Sequence, residues 1–524
     1  MNLVILHHHL NRGGVSQVIA NHLRSLAALP AGQQPRRVVV VFDGQRDGWP
    51  NDVPDADATF PIELLTVPDI GYDAAGAVAD GSRLASTIGS ALAAAGLNPN
   101  DSLLHVHNHS IGKNASLPGA LAELARNGWR QLLQVHDFAE DNRPSNYRHL
   151  AEALLAGDPD ALGGRLYPQA AHVHYATLTQ RDAAVLAEAG IAADRLEPLA
   201  NPVAEFGDLP ASAVARPRVH AKLALPDDAR LFVYPVRGIR RKNMGELLLL
   251  AAVAPDDAWF AVTLAPKNPA EYASFDAWSE LARRLALRCR FDTGGQFGVT
   301  FPDALAAADA IVTTSIAEGF GMVFLEAWLA NRVLVGRDLP EITTEFRDEG
   351  LQFDGLYEAL AIPLQLLDER GVREDWQTVY VDTCQKYGLP PLAVEDFNRR
   401  VEPLLAGGCV DFGRLAPARQ AAVIEQVAAD VAARDAILAA NPALAKLFAT
   451  KQGDQQSRID ANAAAVRQRY STAAVGQRLD AAYQRVLDSP VDETVAPAPR
   501  GRAVLDHFVT PERILPVRVA QWTT

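Results

Sequence analysis

The chain has 524 residues, of which 48% are hydrophobic and 21% are Asp, Glu, Lys or Arg, and it holds 3 cysteines. That composition excludes a collagen-like fibre, a disordered tail protein and a disulfide scaffold, and at roughly 100–200 residues per domain the length predicts several domains, each with its own core. Its 49 Lys and Arg against 63 Asp and Glu leave a net charge of -14, so the surface as a whole repels nucleic-acid phosphates and any anion site must be local.

At the N-terminus the apolar run 3–6 ends at His7, too short for a signal-peptide core or a membrane span. Cys289, Cys384 and Cys409 lie far apart and form no zinc-type pair. A protein of the reducing cytoplasm without a transmembrane segment is expected.

Short apolar runs at 3–6, 38–42, 103–106, 132–135 and 173–178 alternate with helix-like stretches such as 15–26, 83–95 and 117–126. Continuous Val, Ile and Leu in the short runs predicts buried parallel strands, and the alternation predicts βα repeats. After Asn201-Pro202-Val203 comes a Pro- and Ala-rich passage with Pro210, Pro217 and Pro226, read as the interdomain linker. The rhythm then restarts, with strands predicted at 231–236, 259–264 and 310–313 and helices at 244–252, 275–286 and 323–329. The fold class is therefore α/β, with two Rossmann-like, doubly wound domains.

Beyond about residue 345 the rhythm weakens, and 351–451 offers amphipathic pieces such as 420–433 without a strand series, which predicts a mostly helical insertion. One long helix is predicted over 459–486, closed by the Pro-rich stretch 490–499. The expected domains are 1–205, 206–456 with the helical insertion at about 350–451, and 457–524 as a long helix and tail crossing back to the first domain.

The most informative stretch is Ser315-Ile316-Ala317-Glu318-Gly319-Phe320-Gly321-Met322, which follows a predicted strand and runs into a helix carrying Glu326. Glycines at such a turn leave backbone N–H groups open, and the helix N-terminus adds partial positive charge, a combination suited to a diphosphate. Glu326 and Glu318 would accept hydrogen bonds from ribose and sugar hydroxyls. A glycine turn with a solvated glutamate is the plain alternative.

A second strand, ending in Tyr234-Pro235-Val236-Arg237, leads directly into Gly238-Ile239-Arg240-Arg241-Lys242-Asn243. Arg237 and Lys242 are close enough in the chain to face one anion, with Arg as a bidentate clamp and Lys as a point charge. Arg240 and Arg241 read equally well as solvated surface charges.

The pairing of a strand-end Arg-x4-Lys with a later Glu-Gly-Phe-Gly-x4-Glu resembles the donor half of the retaining glycosyltransferases of family 4, which have the GT-B fold. Asn11-Arg12-Gly13-Gly14-Val15 resembles that family's glycine loop, Val135-His136-Asp137 its fourth-strand His-Asp, and Asn201-Pro202-Val203 the close of its first domain. The resemblance spans about residues 1–345 and returns near 459–487.

It implies two Rossmann-like domains facing a cleft and transfer of a hexosyl group from a nucleotide-diphosphate sugar to a hydroxyl of a small-molecule or glycan acceptor. Arg237 and Lys242 would hold the diphosphate with the amides of Gly319, Phe320, Gly321 and Met322. Glu326 would bind the ribose, Glu318 and His136 would contact the sugar, and Gly13 and Gly14 would let the first loop approach the phosphates. No cofactor or metal is expected, because no DxD-type motif stands out and the two cations replace a divalent ion. The departures from the family are Asn243 where Gly is common, Trp328 where Met is frequent and Asn331-Arg332-Val333 where Gly-x-Pro is frequent; they bear on donor identity.

Three other readings stay open: a phosphorylase of the same fold using sugar-1-phosphate, a non-catalytic nucleotide-binding scaffold, and a His-rich metal-dependent hydrolase. The last draws on His7-His8-His9 and on His105-x-His107-x-His109, which alternates along a strand so that one face could show three imidazoles. It needs a (βα)8 barrel with later ligands, and beyond His174 only His220 and His507 remain. His107 and His109 are instead candidates for the acceptor side. Asp411-Phe412-Gly413 resembles the kinase triplet by chance.

Overall fold

A computed structural model describes residues 1–50, 53 and 60–519, with the side chain of Gln452 excepted. The last five residues of the 457–524 segment lie outside that description. The chain divides into two compact units, one of Met1–Ala204 with Lys386–Leu389 and Gln468–Val509, the other of Glu205–Gln385 with Pro390–Arg467 and Thr510–Thr524.

The first unit is built on a seven-stranded parallel sheet: β1 (Asn2–Leu6), β2 (Arg37–Phe42), β3 (Ile62–Thr66), β4 (Ser102–His107), β5 (Arg130–Val135), β6 (Val173–Thr177) and β7 (Leu196–Pro198), in the order β3-β2-β1-β4-β5-β6-β7. Every residue of β1, β4 and β6 is buried, as expected for strands covered on both faces by crossover helices. Local chemistry fixes the helix starts. Asp80 accepts from the Arg83 N–H at 2.9 Å to cap the helix Gly81–Ala94, and Asp158 and Thr179 cap Pro159–Leu166 and Gln180–Glu188 in the same way. The helix Thr472–Asp488 buries Val475, Leu479, Ala482, Tyr483 and Val486 in the core that β1, β2 and the helix Gly14–Ala27 share. Gly476 permits this approach, since a Cβ there would lie 2.3 Å from the Ser25 carbonyl oxygen.

The second unit holds a six-stranded parallel sheet: β8 (Arg230–Arg237), β9 (Ala258–Leu264), β10 (Cys289–Arg290), β11 (Ala310–Thr313), β12 (Leu334–Arg337) and β13 (Leu356–Tyr357), in the order β10-β9-β8-β11-β12-β13. Both sheets therefore reverse their strand order once, between β1 and β4 and between β8 and β11. Ligands of doubly wound folds bind outside the carboxyl ends of the strands at such a switch point.

Three expectations need correction. The passage read as a linker contains the helix Ser212–Leu223, with Pro217 inside it. The insertion is mostly helical but also carries an antiparallel pair, β14 (Ala361–Pro363) with β15 (Cys409–Asp411). The predicted single helix is two, Gln456–Tyr470 and Thr472–Asp488, because Ser471 leaves helical geometry and its hydroxyl accepts from the Ala474 N–H to cap the second. The tail, unassigned from sequence, forms a helix at Arg502–Phe508.

Candidate active site

In the second unit, β8 and β11 pair in parallel, with Phe232 opposite Ala310 and Val233 opposite Ile311. Their carboxyl ends thus deliver two loops side by side: the basic turn, with its single 3-10 turn Arg240–Lys242, and the glycine loop that enters the helix Val323–Leu329. Hydrogen bonds join the loops. Thr314 Oγ1 donates to the Lys242 carbonyl at 2.9 Å, the Ile316 N–H to the Arg241 carbonyl at 3.0 Å, and Tyr234 Oη lies 2.6 Å from Ser315 Oγ.

Glu318 sits at the junction. Lys242 Nζ donates to its Oε1, Ser315 Oγ donates to the same oxygen at 2.6 Å, and an Arg241 terminal nitrogen donates to Oε2 at 2.9 Å. Burial raises the Glu318 pKa, but the charges of Lys242 and Arg241 and its hydrogen bonds outweigh that effect and hold it below the usual carboxylate value. Burial likewise lowers Lys242, against the attraction of Glu318 and, more weakly, of Glu326. Glu326, on the first turn of its helix, is raised by burial, against the opposing charge of Lys242. The two motifs therefore meet around one ammonium group.

Arg237 ends β8 half-buried, and its guanidinium has no hydrogen bond or ion pair among the described residues. Arg240 is turned aside, its backbone N–H and guanidinium held by Glu271. Gly319 and Met322 flank the bend into the helix, where Phe320 is buried. Gly321 has φ +83°, and a Cβ there would meet Phe324 at 2.8 Å, so glycine is required twice over.

Asn243, the departure from the family pattern, has φ +50°. Glycine would hold that conformation without strain, and here the side chain compensates: its amide donates to Glu246 Oε2 at 2.8 Å and its oxygen accepts from Gln420 Nε2 at 3.1 Å. Glu246 in turn binds Arg337 and the Tyr357 hydroxyl, and Arg337 binds Asp411 through 2.7 and 3.0 Å contacts. The Asp411-Phe412-Gly413 triplet is therefore structural, because its carboxylate ties the insertion to the sheet edge.

In the first unit, Gly13 precedes the helix Gly14–Ala27 with φ -163°, a conformation open to any residue, and a Cβ on Gly14 would meet nothing within 4 Å. Neither backbone position itself demands glycine. His136 follows β5. Its N–H and that of Asp137 both donate to Asn108 Oδ1, at 2.8 and 3.1 Å, and its Nε2 lies 2.8 Å from His107 Nδ1. Burial, with a lesser contribution from His105, pushes the His136 pKa down to about 3.

The expected row of three strand histidines does not form. His105 and His107 stack with ring centroids 4.4 Å apart, but His109 lies past the end of β4, where its Nε2 bonds the Leu166 carbonyl at 3.0 Å. The third ring beside the pair is His22, from the helix Gly14–Ala27. His107 and His109 are both fully buried, and burial holds their pKa values down. Sequence reasoning missed Tyr234, Ser315 and the pairing of Arg241. Arg241 lay in the conspicuous basic run, where spacing alone could not separate it from Arg240.

No family model matches the chain. Mannosylglucosyl-3-phosphoglycerate synthase of Petrotoga mobilis is 22% identical over 386 residues, 72% of each protein. Among solved structures, trehalose-6-phosphate synthase OtsA matches with a TM-score of 0.50 at 11% identity, covering 94% of this chain and 100% of that one. Anabaena HepE in complex with UDP matches with a TM-score of 0.49 at 13% identity, covering 92% and 100%. At these identities the structural likeness speaks to fold alone. Together with the two switch-point sheets it gives the chain the GT-B architecture.

Proposed function

We propose that the protein transfers a hexosyl group from a nucleotide-diphosphate sugar to a hydroxyl acceptor, with retention of configuration and without a divalent ion at the donor. The observation that carries this reading is the meeting of the basic turn and the glycine loop at the β8–β11 switch point, where Arg241, Lys242, Glu318 and Glu326 gather and Arg237 ends β8. The Petrotoga relative, named as a synthase of a mannosylglucosyl phosphoglycerate, supports a small polar acceptor over a lipid.

Arg237 takes one face of the diphosphate through its unengaged guanidinium, and Lys242 supplies a point charge. An arriving diphosphate competes with Glu318 for the Lys242 ammonium, leaving Glu318 on Arg241 and Ser315 and free to accept a sugar hydroxyl. The amides of Gly319 to Met322 assist the phosphates, and Glu326 accepts from the ribose. As the sugar–phosphate bond breaks, negative charge grows on the leaving diphosphate, and these fixed donors stabilise it, each by about 3–4 kcal/mol. His136 is held neutral by burial, and the leaving phosphate serves as base for the acceptor hydroxyl.

The test is a product assay with UDP-, GDP- and ADP-sugars and a panel of sugar and phosphorylated acceptors, in buffer with and without Mg2+ or Mn2+. Formation of an anomer-retained glycoside at equal rates in both buffers supports the proposal. Nucleotide-sugar consumption by none of the donors, or an inverted product, contradicts it.

A further inference from the structure

We infer that His22, His105 and His107 form a binding site for a transition-metal dication of the zinc class, inside the first unit and separate from the donor loops. One ring nitrogen from each residue lies within 4.8 Å of the others. All three rings are 0% exposed, a costly arrangement for imidazoles unless each nitrogen finds a partner. Yet both nitrogens of His22 and Nε2 of His107 have no hydrogen-bond partner among the described residues. The His107 ring that carries the bare Nε2 has its centroid 5.7 Å from that of His22, and the His105 ring lies 5.6 Å from it.

For His105 and His107 the surrounding contacts have the form that holds ligating histidines in place, in which the second ring nitrogen donates to an oxygen or another acceptor. His105 Nδ1 is 2.8 Å from the Tyr483 hydroxyl, and its Nε2 has Gln134 Oε1 at 2.9 Å. Gln134 Oε1 only accepts, so the His105 Nε2–H donates to it; metal binding at Nε2 moves the ring proton to Nδ1, which then donates to the Tyr483 hydroxyl, and leaves Gln134 Oε1 beside the metal as a further oxygen donor. His107 Nδ1 is 2.8 Å from His136 Nε2. Metal on His107 Nε2 makes Nδ1–H the donor to His136, which fixes the His136 tautomer; this last consequence alone rests on the transfer reading above. Bonds of about 2.0–2.1 Å in tetrahedral geometry set ligand atoms about 3.4 Å apart, so with all three nitrogens within 4.8 Å of one another binding draws no pair inward by more than about 1.4 Å. Nitrogen ligands of this kind suit Zn2+ or Co2+ rather than Mg2+ or Ca2+.

The experiment uses the full chain, stripped with chelator, incubated with ZnCl2 or CoCl2 alone and dialysed, with metal content and the visible spectrum of the cobalt form as readouts. One metal per chain and a tetrahedral Co2+ spectrum are expected. His22→Phe and His107→Gln should each abolish both while circular dichroism stays that of the wild type. His109→Gln, outside the cluster, should change neither. Tyr483→Phe should weaken Zn2+ binding about 10–100-fold, the usual effect of removing a partner of a ligating histidine. Substoichiometric metal in the wild type, or retention in either folded ligand variant, overturns the inference and leaves buried water as the partner. Because metal content is read without any turnover, failure here does not touch the donor assignment, and failure of the transfer assay does not touch this site.

Discussion

Lys242 and Glu318, 76 residues apart in sequence, form a buried ion pair where the loops after β8 and β11 meet. Side-chain exposure of 12% and 7% means that neither charge is well solvated once the other is removed. Glu318→Ala should therefore lower stability by about 3–5 kcal/mol in chemical denaturation, the usual cost of breaking a buried pair. The double variant with Lys242→Ala should lose less than the sum of the two single changes. With donor present, Lys242→Ala should reduce kcat by about 10²–10³-fold.

Asn243 holds a left-handed backbone that glycine would adopt without strain. Its left-handed backbone suits Gly better than Ala, while its side chain joins Glu246 to Gln420. Asn243→Ala loses the hydrogen bonds and adds backbone strain, for a cost of about 2–4 kcal/mol. Asn243→Gly loses only the hydrogen bonds, and its denaturation midpoint should lie between those of wild type and the Ala variant.

The Glu246–Arg337–Asp411 network anchors the insertion. Asp411→Ala removes two charge-assisted hydrogen bonds from Arg337 and the acceptor of the Leu360 N–H. A loss of about 1.5–3 kcal/mol is expected, with hydrogen exchange accelerating first in β14 and β15.

Glu140 supplies the pH dependence. It is 1% exposed, and burial raises its pKa from 4.5 to about 7, against backbone and Tyr167 hydrogen bonds. A carboxyl with a higher folded pKa binds its proton more tightly when folded, so its contribution is fully present below pH 4.5 and is lost as pH rises through about 7. Glu140→Gln should match the wild type in stability near pH 4.5 and exceed it above pH 7 by on the order of 3 kcal/mol, read as a higher thermal midpoint. Parallel midpoint curves for the two proteins across that range would contradict this.

Much of this architecture was legible because its strands are pure apolar runs. Both β8 and β11 were read within a residue or so, and the two loops they deliver carry the densest chemistry in the chain. What escaped were elements whose cause is tertiary. β12 ends in Gly336-Arg337, and Arg337 is buried only because Glu246 and Asp411 neutralise it. The helix Ser212–Leu223 was hidden by Pro217, which sits at an interior position that Pro disfavours, and burial of Ala215, Val219 and Leu223 overrides that cost. The histidine cluster followed period-two alternation for His105 and His107, but His22 joins from a helix, and no spacing rule links residues 22 and 105.

The central claim is that Arg237 and Lys242 hold a nucleotide diphosphate at the β8–β11 switch point. Calorimetric titration with UDP-, GDP- and ADP-sugars in EDTA tests it most directly. At least one donor should bind with saturation, and Arg237→Ala and Lys242→Ala should each weaken it tenfold or more, about 1.4 kcal/mol. Binding of no donor, or equal affinity in wild type and both variants, would contradict the account.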